Sequence, residues 1–270
     1  MEIKPFIRWA GGKQKQFSQL KTYFPDTDEI ECYYEPFIGG GTMLLNTLYN
    51  QSYISDINRH LINVYEKIKQ NPTKVFNHLK PFYKGISSKK YYSLREEYNE
   101  KKYSFTYKQA ATFIILNKSS FNGVFRVNQK GEYNVPFGKE KPSLPSLESL
   151  KIISDKLENT TINCHSFELI RTSINDQDFV YLDPPYPPIS DTAFFQHYTK
   201  DRFHLNEQEK VFYLFEYLSN RNIMTLISYP DLPIIRETYS DFNIEELPTY
   251  RSVRSKGKVQ KIKELVIRNY

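Results

Sequence analysis

Cysteine is almost missing from this chain: Cys32 and Cys164 are the only two in 270 residues, both in apolar, strand-like surroundings. So few thiols exclude a disulfide framework and a cysteine-based zinc site. The five histidines, His60, His78, His165, His197 and His204, fall at no metal-ligand spacing, so no metal is expected. Long apolar runs are missing too, and Met1 to Arg8 carries charges and prolines. The expectation is therefore no membrane span, no signal peptide and a cytoplasmic location. Tryptophan is reduced to Trp9, yet 22 Tyr and 19 Phe bring aromatics to 16%, which excludes a disordered composition. The net charge of +6, with a pI near 9.0, favours a polyanionic partner without demanding one. The length suits one large domain or two modest ones.

What is present is organised around Asp183-Pro184-Pro185-Tyr186, reached through Phe179-Val180-Tyr181-Leu182. An apolar, aromatic run that stops at two prolines reads as a buried strand ending in a rigid turn. In open α/β sheets that end of a strand is where ligands bind. A carboxylate beside a carbonyl supplies two acceptors, which suits an exocyclic amino group, and Tyr186 adds a flat face. A plain turn capping a core strand accounts for the same four letters.

Earlier in the chain, Phe6-Ile7-Arg8-Trp9-Ala10-Gly11-Gly12-Lys13 invites comparison with a phosphate-binding loop, but Gln14 stands where Ser or Thr is needed. A helical stretch from Gln14 to Tyr23 follows. Cys32 to Thr42 then reads as a strand and a glycine-rich turn, Gly39-Gly40-Gly41, opening a helix from Met43 to Tyr49. That is the first half of a nucleotide-binding βαβ unit, with a spacing unlike the dinucleotide fingerprint. The next strand, Tyr53 to Ser55, ends at Asp56, which suits a carboxylate on ribose hydroxyls and equally an N-cap for the helix Ile57 to Lys69.

Residues 57–144 change character to helices rich in Lys, Tyr and Asn, read as an insertion. It closes on a segment whose alternation, Val124/Arg126 and Tyr133/Val135 about Asn128 to Gly131, predicts a β-hairpin able to enter a major groove. An ordinary surface hairpin has the same pattern. The α/β pattern then resumes: a helix Leu147 to Leu157, a strand Thr160 to Cys164, a short helix Phe167 to Arg171, a helix Asn206 to Ser219 and a strand Ile223 to Ile227. Phe242 to Leu247 and Lys263 to Arg268 suit a terminal antiparallel pair. Between them, Arg251 to Lys261 is basic without an acidic residue, read as a loop that is either merely solvated or a phosphate-contacting arm.

Three motifs thus stand in order: Phe-x-x-Trp-Ala-Gly-Gly-Lys, Glu-Pro-Phe-x-Gly-Gly-Gly and Asp-Pro-Pro-Tyr after a long insertion. Together they resemble the Dam-type DNA adenine methyltransferases, and Phe-Asn-Gly-x-x-Arg-x-Asn with Glu-Tyr-Asn-Val-Pro-Phe-Gly is similar to that family's recognition hairpin. The resemblance implies an α/β, Rossmann-like doubly wound S-adenosylmethionine-dependent sheet from residues 1–56 and 145–270. A helical and β-hairpin target-recognition domain at 57–144 would be inserted in it. Trp9, Ala10, Gly11, Lys13, Glu35, Pro36, Phe37, Gly39, Gly40, Gly41 and Asp56 would hold S-adenosylmethionine, with Ser166 and Phe167 bordering its adenine and Asp183 in contact.

Asp183 and Pro184, with Pro185 completing the turn, would bind the target amino group, and Tyr186 would stack on an adenine extruded from double-stranded DNA. Phe121 would fill the vacated stack, Arg126 would meet a guanine edge, Val124 with Pro136 would meet a thymine methyl, and Asn122 would bind DNA. Asn128 belongs to the same hairpin. Arg8 stands where relatives use a lysine on the first guanine, and Arg251, Arg254, Lys256 and Lys258 would touch phosphates. The implied site is GATC, although Arg8 and Val124-Phe125 depart from the commoner residues. A monomer with a cognate restriction endonuclease in the same system is expected. An RNA base methyltransferase and a catalytically inactive DNA-binding module are the rivals.

Overall fold

Short apolar runs become the strands of this protein, and the longer periodic ones its helices. The computed structural model describes residues 2–138, 141–185, 202–255 and 258–270, with 202–206 and 249–262 described by backbone alone. Its strands are β1 (Tyr33–Glu35), β2 (Ser52–Ser55), β3 (Thr160–Asn163), β4 (Phe179–Leu182), β5 (Met224–Pro230), β6 (Asn243–Ser255) and β7 (Lys258–Arg268). The described helices are α1 (Phe17–Leu20), α2 (Thr42–Asn46), α3 (Arg59–Gln70), α4 (Pro72–Leu79), α5 (Ser88–Glu100), α6 (Tyr107–Ser119), α7 (Leu147–Lys156), α8 (Arg202–Asn220) and α9 (Pro233–Thr238).

The strand order is β3-β2-β1-β4-β5-β7-β6, the doubly wound arrangement expected. β4 lies parallel to both β1 and β5, with Tyr34 opposite Val180 and Leu182 opposite Ile227. All four β4 residues are buried, as befits a parallel strand covered on both faces. Chain order reverses between β1 and β4, which makes their carboxyl ends the switch point where such sheets bind ligands. β7 enters antiparallel between β5 and β6.

One expectation fails here. The basic segment Arg251 to Lys261, read as a loop, is mostly strand: β6 runs on to Ser255 and β7 starts at Lys258, in register from Tyr250↔Lys263 to Ser255↔Lys258. Val253, Val259 and Ile262 favour extended backbone even among the charges. The register shifts between Leu247 and Tyr250, beside Pro248, which has no N–H to give a ladder and is tolerated on this edge strand.

By packing, the chain divides into two units. One comprises Met1–Lys15, Ile38–Thr47 and Ile54–His165; the other comprises Gln16–Phe37, Leu48–Tyr53 and Ser166–Tyr270. These limits differ from the functional boundaries expected at 56/57 and 144/145. In the first unit α6 is buried nearly all round, so it forms the centre against which α3, α4 and α5 pack. In the second, Tyr34, Val180 and Leu182 of the sheet meet Leu214, Phe215 and Leu218 of α8 in one core.

Candidate active site

At the switch point the second unit supplies a carboxylate. Asp183 follows β4 directly, and the Ser228 hydroxyl donates to its Oδ1 at 3.4 Å. The hydroxyls of Ser228 and Tyr181 are 3.0 Å apart, both fully buried. Beyond Asp183, the Pro185 carbonyl accepts from Gln208 Nε2 at 2.7 Å, and Gln208 Oε1 accepts from the Tyr229 hydroxyl. At the end of β1, buried Glu35 accepts from the Tyr33 hydroxyl at 2.8 Å, and burial beside that carboxylate pushes the Tyr33 phenol upward. Past Pro36, Phe37 packs against Phe167 with ring centroids 4.9 Å apart, and the neighbouring Ser166 hydroxyl donates to Glu168 at 3.2 Å.

The first unit holds the glycine turn. Gly39 has φ +45°, and a Cβ there would lie 2.6 Å from the Trp9 ring, so only glycine lets the indole close on the turn. The Tyr65 hydroxyl donates to the Gly39 carbonyl at 3.0 Å, and Gly41, preceding α2, lies in the left-handed region. Gly40 sits against Trp9 Cβ and Pro5. On the Ala10-Gly11 side the chain turns back, Gly12 N–H donating to the Trp9 carbonyl at 3.1 Å, and Lys13 is buried.

Asp56 is not the N-cap that its position allowed. Asn58 caps α3, accepting from the N–H groups of His60 and Leu61, while the Asp56 carboxylate takes the Asn58 N–H at 2.8 Å and the Gly39 N–H at 3.4 Å. Burial raises the Asp56 carboxyl above its ordinary range, opposed by those two N–H groups. The acidic residue after β2 and the glycine turn after β1 are thus joined, and a hydroxyl-bearing ligand at Asp56 would relieve the burial cost.

The candidates Arg8, Phe121, Asn122, Val124, Arg126, Asn128 and Pro136 belong to the same unit. Asn117, at the end of α6, is 1% exposed. It accepts from the Arg8 N–H at 2.8 Å and donates to the carbonyls of Arg8 and Gly123, both at 2.9 Å. Gly123 has φ +63°, and a Cβ there would meet Arg8 Cβ at 2.7 Å, so the arginine stem lies across the glycine. Asn122 is left-handed at φ 58°, and Phe121 is 57% exposed. Phe125 is packed among Trp9, Phe113, His60 and Tyr133.

The predicted hairpin is an irregular ribbon with isolated bridges, Ser120↔Phe137 and Val127↔Tyr133. Its two arms exchange Asn128 N–H to the Glu132 carbonyl at 2.9 Å and Asn134 N–H to the Arg126 carbonyl at 3.1 Å, and side chains of α5 take the outward-facing groups that a third strand would use. Asn99 bonds both the N–H and the carbonyl of Tyr133, and Tyr91 and Arg95 donate to the Val135 carbonyl. Asn128 closes the turn through the N–H groups of Lys130 and Glu132. Arg126 is exposed with its Nε on Asn134 Oδ1 at 2.8 Å, Pro136 is exposed, and Val124 is half-buried. Tyr186, Lys256 and the side chains of Arg251, Arg254 and Lys258 lie outside the described residues.

Comparison with known proteins bears directly on this arrangement. The model of the D12 class N6 adenine-specific DNA methyltransferases matches residues 9–253. The chain belongs to that family. The Type II methyltransferase M.MjaIII of Methanocaldococcus jannaschii is 35% identical over the whole of both chains. Type II methyltransferase M1.LlaDCHI of Lactococcus lactis is 32% identical over 100% of this chain and 96% of its own. The DNA adenine methylase of Escherichia coli K12 is 34% identical over 96% of this chain and 92% of its own. DNA adenine N6 methylation is therefore the activity of the class, and DNA its substrate.

For this D12 methyltransferase, Ser228, Tyr181, Gln208 and Asn117 hold the candidate residues by hydrogen bonds for which their sequence positions gave little sign. Ser228 sits in an apolar strand and Asn117 ends an apolar helix, so an isolated polar residue in a buried run was the available signal. Among the described residues no group of three His, Cys, Asp or Glu could hold a metal, and no helix is long and apolar enough to cross a membrane.

Proposed function

We propose that this chain transfers a methyl group from S-adenosylmethionine to the N6 amino group of an adenine extruded from duplex DNA, within GATC. The observation that carries the chemistry is Asp183, a carboxylate fixed by Ser228 at the carboxyl end of β4. The residues present fit the donor. In the first unit Asp56 is a buried acceptor suited to ribose hydroxyls and the Gly39 turn brings backbone close under Trp9; in the second, Phe37 with Phe167 offers an apolar, aromatic face suited to adenine. When bound, S-adenosylmethionine supplies an electrophilic methyl carried on a sulfonium.

The protein's part is positioning and electrostatics. Asp183 and the Pro184 carbonyl each accept an N–H of the target amine, holding its lone pair out of conjugation with the ring and stabilising the positive charge that grows on nitrogen. Tyr186 would stack on the extruded base. We assign catalysis to residues 1–56 and 145–270 and target recognition to 57–144, with Phe121, exposed on its turn, entering the vacated stack. Arg8 and Arg126 address guanines. The protein acts as a monomer. A restriction endonuclease of the same specificity is the expected companion, since two of the relatives are named Type II methyltransferases.

The test is transfer of labelled methyl to duplex oligonucleotides with and without GATC, comparing wild type with Asp183→Ala. Label on adenine N6 in wild type alone, and with GATC alone, is expected. Label independent of GATC discards the site and keeps the enzyme. Label on RNA and none on DNA overturns the reading.

A further inference from the structure

Asp183 stands on the turn that follows β4, where a carboxylate rotates unless something holds it. Ser228 of β5 contacts it, and the next residue, Tyr229, acts on the end of the turn. The parallel register sets Leu182 opposite Ile227, which brings Ser228 level with Asp183 and its hydroxyl onto Oδ1. Tyr181 and Asp183 are two residues apart and share a face of the sheet, so the Tyr181 hydroxyl backs Ser228 from below. The next residue, Tyr229, donates to Gln208, which donates in turn to the Pro185 carbonyl. Both ends of Asp183-Pro184-Pro185 are therefore tied to β5.

Hydroxyls in the interior of a sheet cost stability unless bonded, and a core of Phe at 181 and Ala at 228 would avoid that cost. Here they form a chain that ends on one carboxylate. Proline rings already fix φ at 184 and 185, so the bond from Gln208 settles the orientation of the peptide that follows.

We propose that Ser228 and Gln208 are positioning residues for methyl transfer: Ser228 sets the rotation of the Asp183 carboxylate, and Gln208 sets the pose of the diproline turn that presents the Pro184 carbonyl. This rests on Asp183 and Pro184 being the acceptors of the target amine. Displacing either acceptor misaligns the lone pair with the incoming methyl.

The experiment uses the full chain, labelled S-adenosylmethionine and a duplex that wild type methylates. Single-turnover rates and KM for both substrates are measured for S228A, S228T, Q208A, Y181F and D183A, with thermal unfolding alongside. S228A and Q208A are expected to slow transfer on the order of 10²-fold, as misplacement of a reacting group does, with KM unchanged. S228T keeps the hydroxyl and is expected to recover most of the rate. Removing a donor from a carboxylate raises its pKa, so the acid limb of the S228A pH–rate profile moves to higher pH.

Wild-type rates in S228A and Q208A, or losses that only follow the folded fraction, overturn the proposal. Should S228A fail to fold, Q208A and Y181F decide, and unchanged rate constants in both overturn it. A wild-type rate in D183A is a separate result, which removes Asp183 from the chemistry and the underlying reading with it.

Discussion

Replacing Asn117 tests how the amino-terminal segment is joined to the Phe121–Gly123 turn. Its amide makes three hydrogen bonds, at 2.8, 2.9 and 2.9 Å, to Arg8 and Gly123, from a site 1% exposed. At about 1 kcal/mol net for each bond, Asn117→Ala should cost about 3 kcal/mol, a large part of a typical domain's stability. Asn117→Asp is the sharper probe. It keeps the shape and the acceptor for the Arg8 N–H, but sets a carboxylate oxygen against the carbonyls of Arg8 and Gly123 where a donor stood. The aspartate should therefore destabilise at least as much as alanine at pH 7. Urea denaturation measures both, and sequence selectivity on duplexes with single-base changes reports whether Arg8 and Phe121 have lost their relative placement. A loss below about 1 kcal/mol for Asn117→Ala, or a neutral aspartate, refutes the reasoning.

Gly39→Ala drives a Cβ into the Trp9 ring at a residue with φ +45°, and should weaken S-adenosylmethionine binding by displacing the indole, measured by calorimetry. Arg126→Ala should relax guanine discrimination at one position by about 1–3 kcal/mol; equal losses on every sequence would mean that it meets only phosphate. Burial, with Arg8 nearby, lowers the Lys118 ammonium to about 8. A base lowered on folding binds fewer protons folded than unfolded between that value and its ordinary 10.5, so stability rises with pH across the window. Lys118→Met should abolish that rise, and denaturation midpoints from pH 7 to 10 show whether it does. Burial also pushes the Cys32 thiol to about 12, so an aromatic disulfide reagent should modify it only on unfolding.

Much of this was legible because the letters carried strong local physics. Phe179 to Leu182 is apolar without interruption and stops at prolines, which leaves little but a covered parallel strand ending in a turn. The three glycines after Pro36-Phe37-Ile38 marked a turn that opens a helix, and Trp9 is what closes on it. Asp56 was ambiguous because Asp and Asn two residues apart both cap helices well, and only the tertiary bond to Gly39 decides which one does. The arm beyond Leu247 was misread because charge was taken for loop, whereas strand pairing depends on a partner distant in sequence. Asn99 standing in for a strand beside Tyr133, and Asn117 joining segments 109 residues apart, are long-range facts with no local signature.

The antiparallel insertion of β7 between β5 and β6 sets an order on synthesis. β6 leaves the ribosome before β7, the only strand it pairs with among the described residues. A nascent chain halted before Lys258 can assemble the parallel β1–β4–β5 strip, but it leaves β5 with an open edge and β6 an unpaired ribbon. Such exposed edges invite the wrong neighbours, so translation speed over the codons of β7 should govern how much of this enzyme is made soluble.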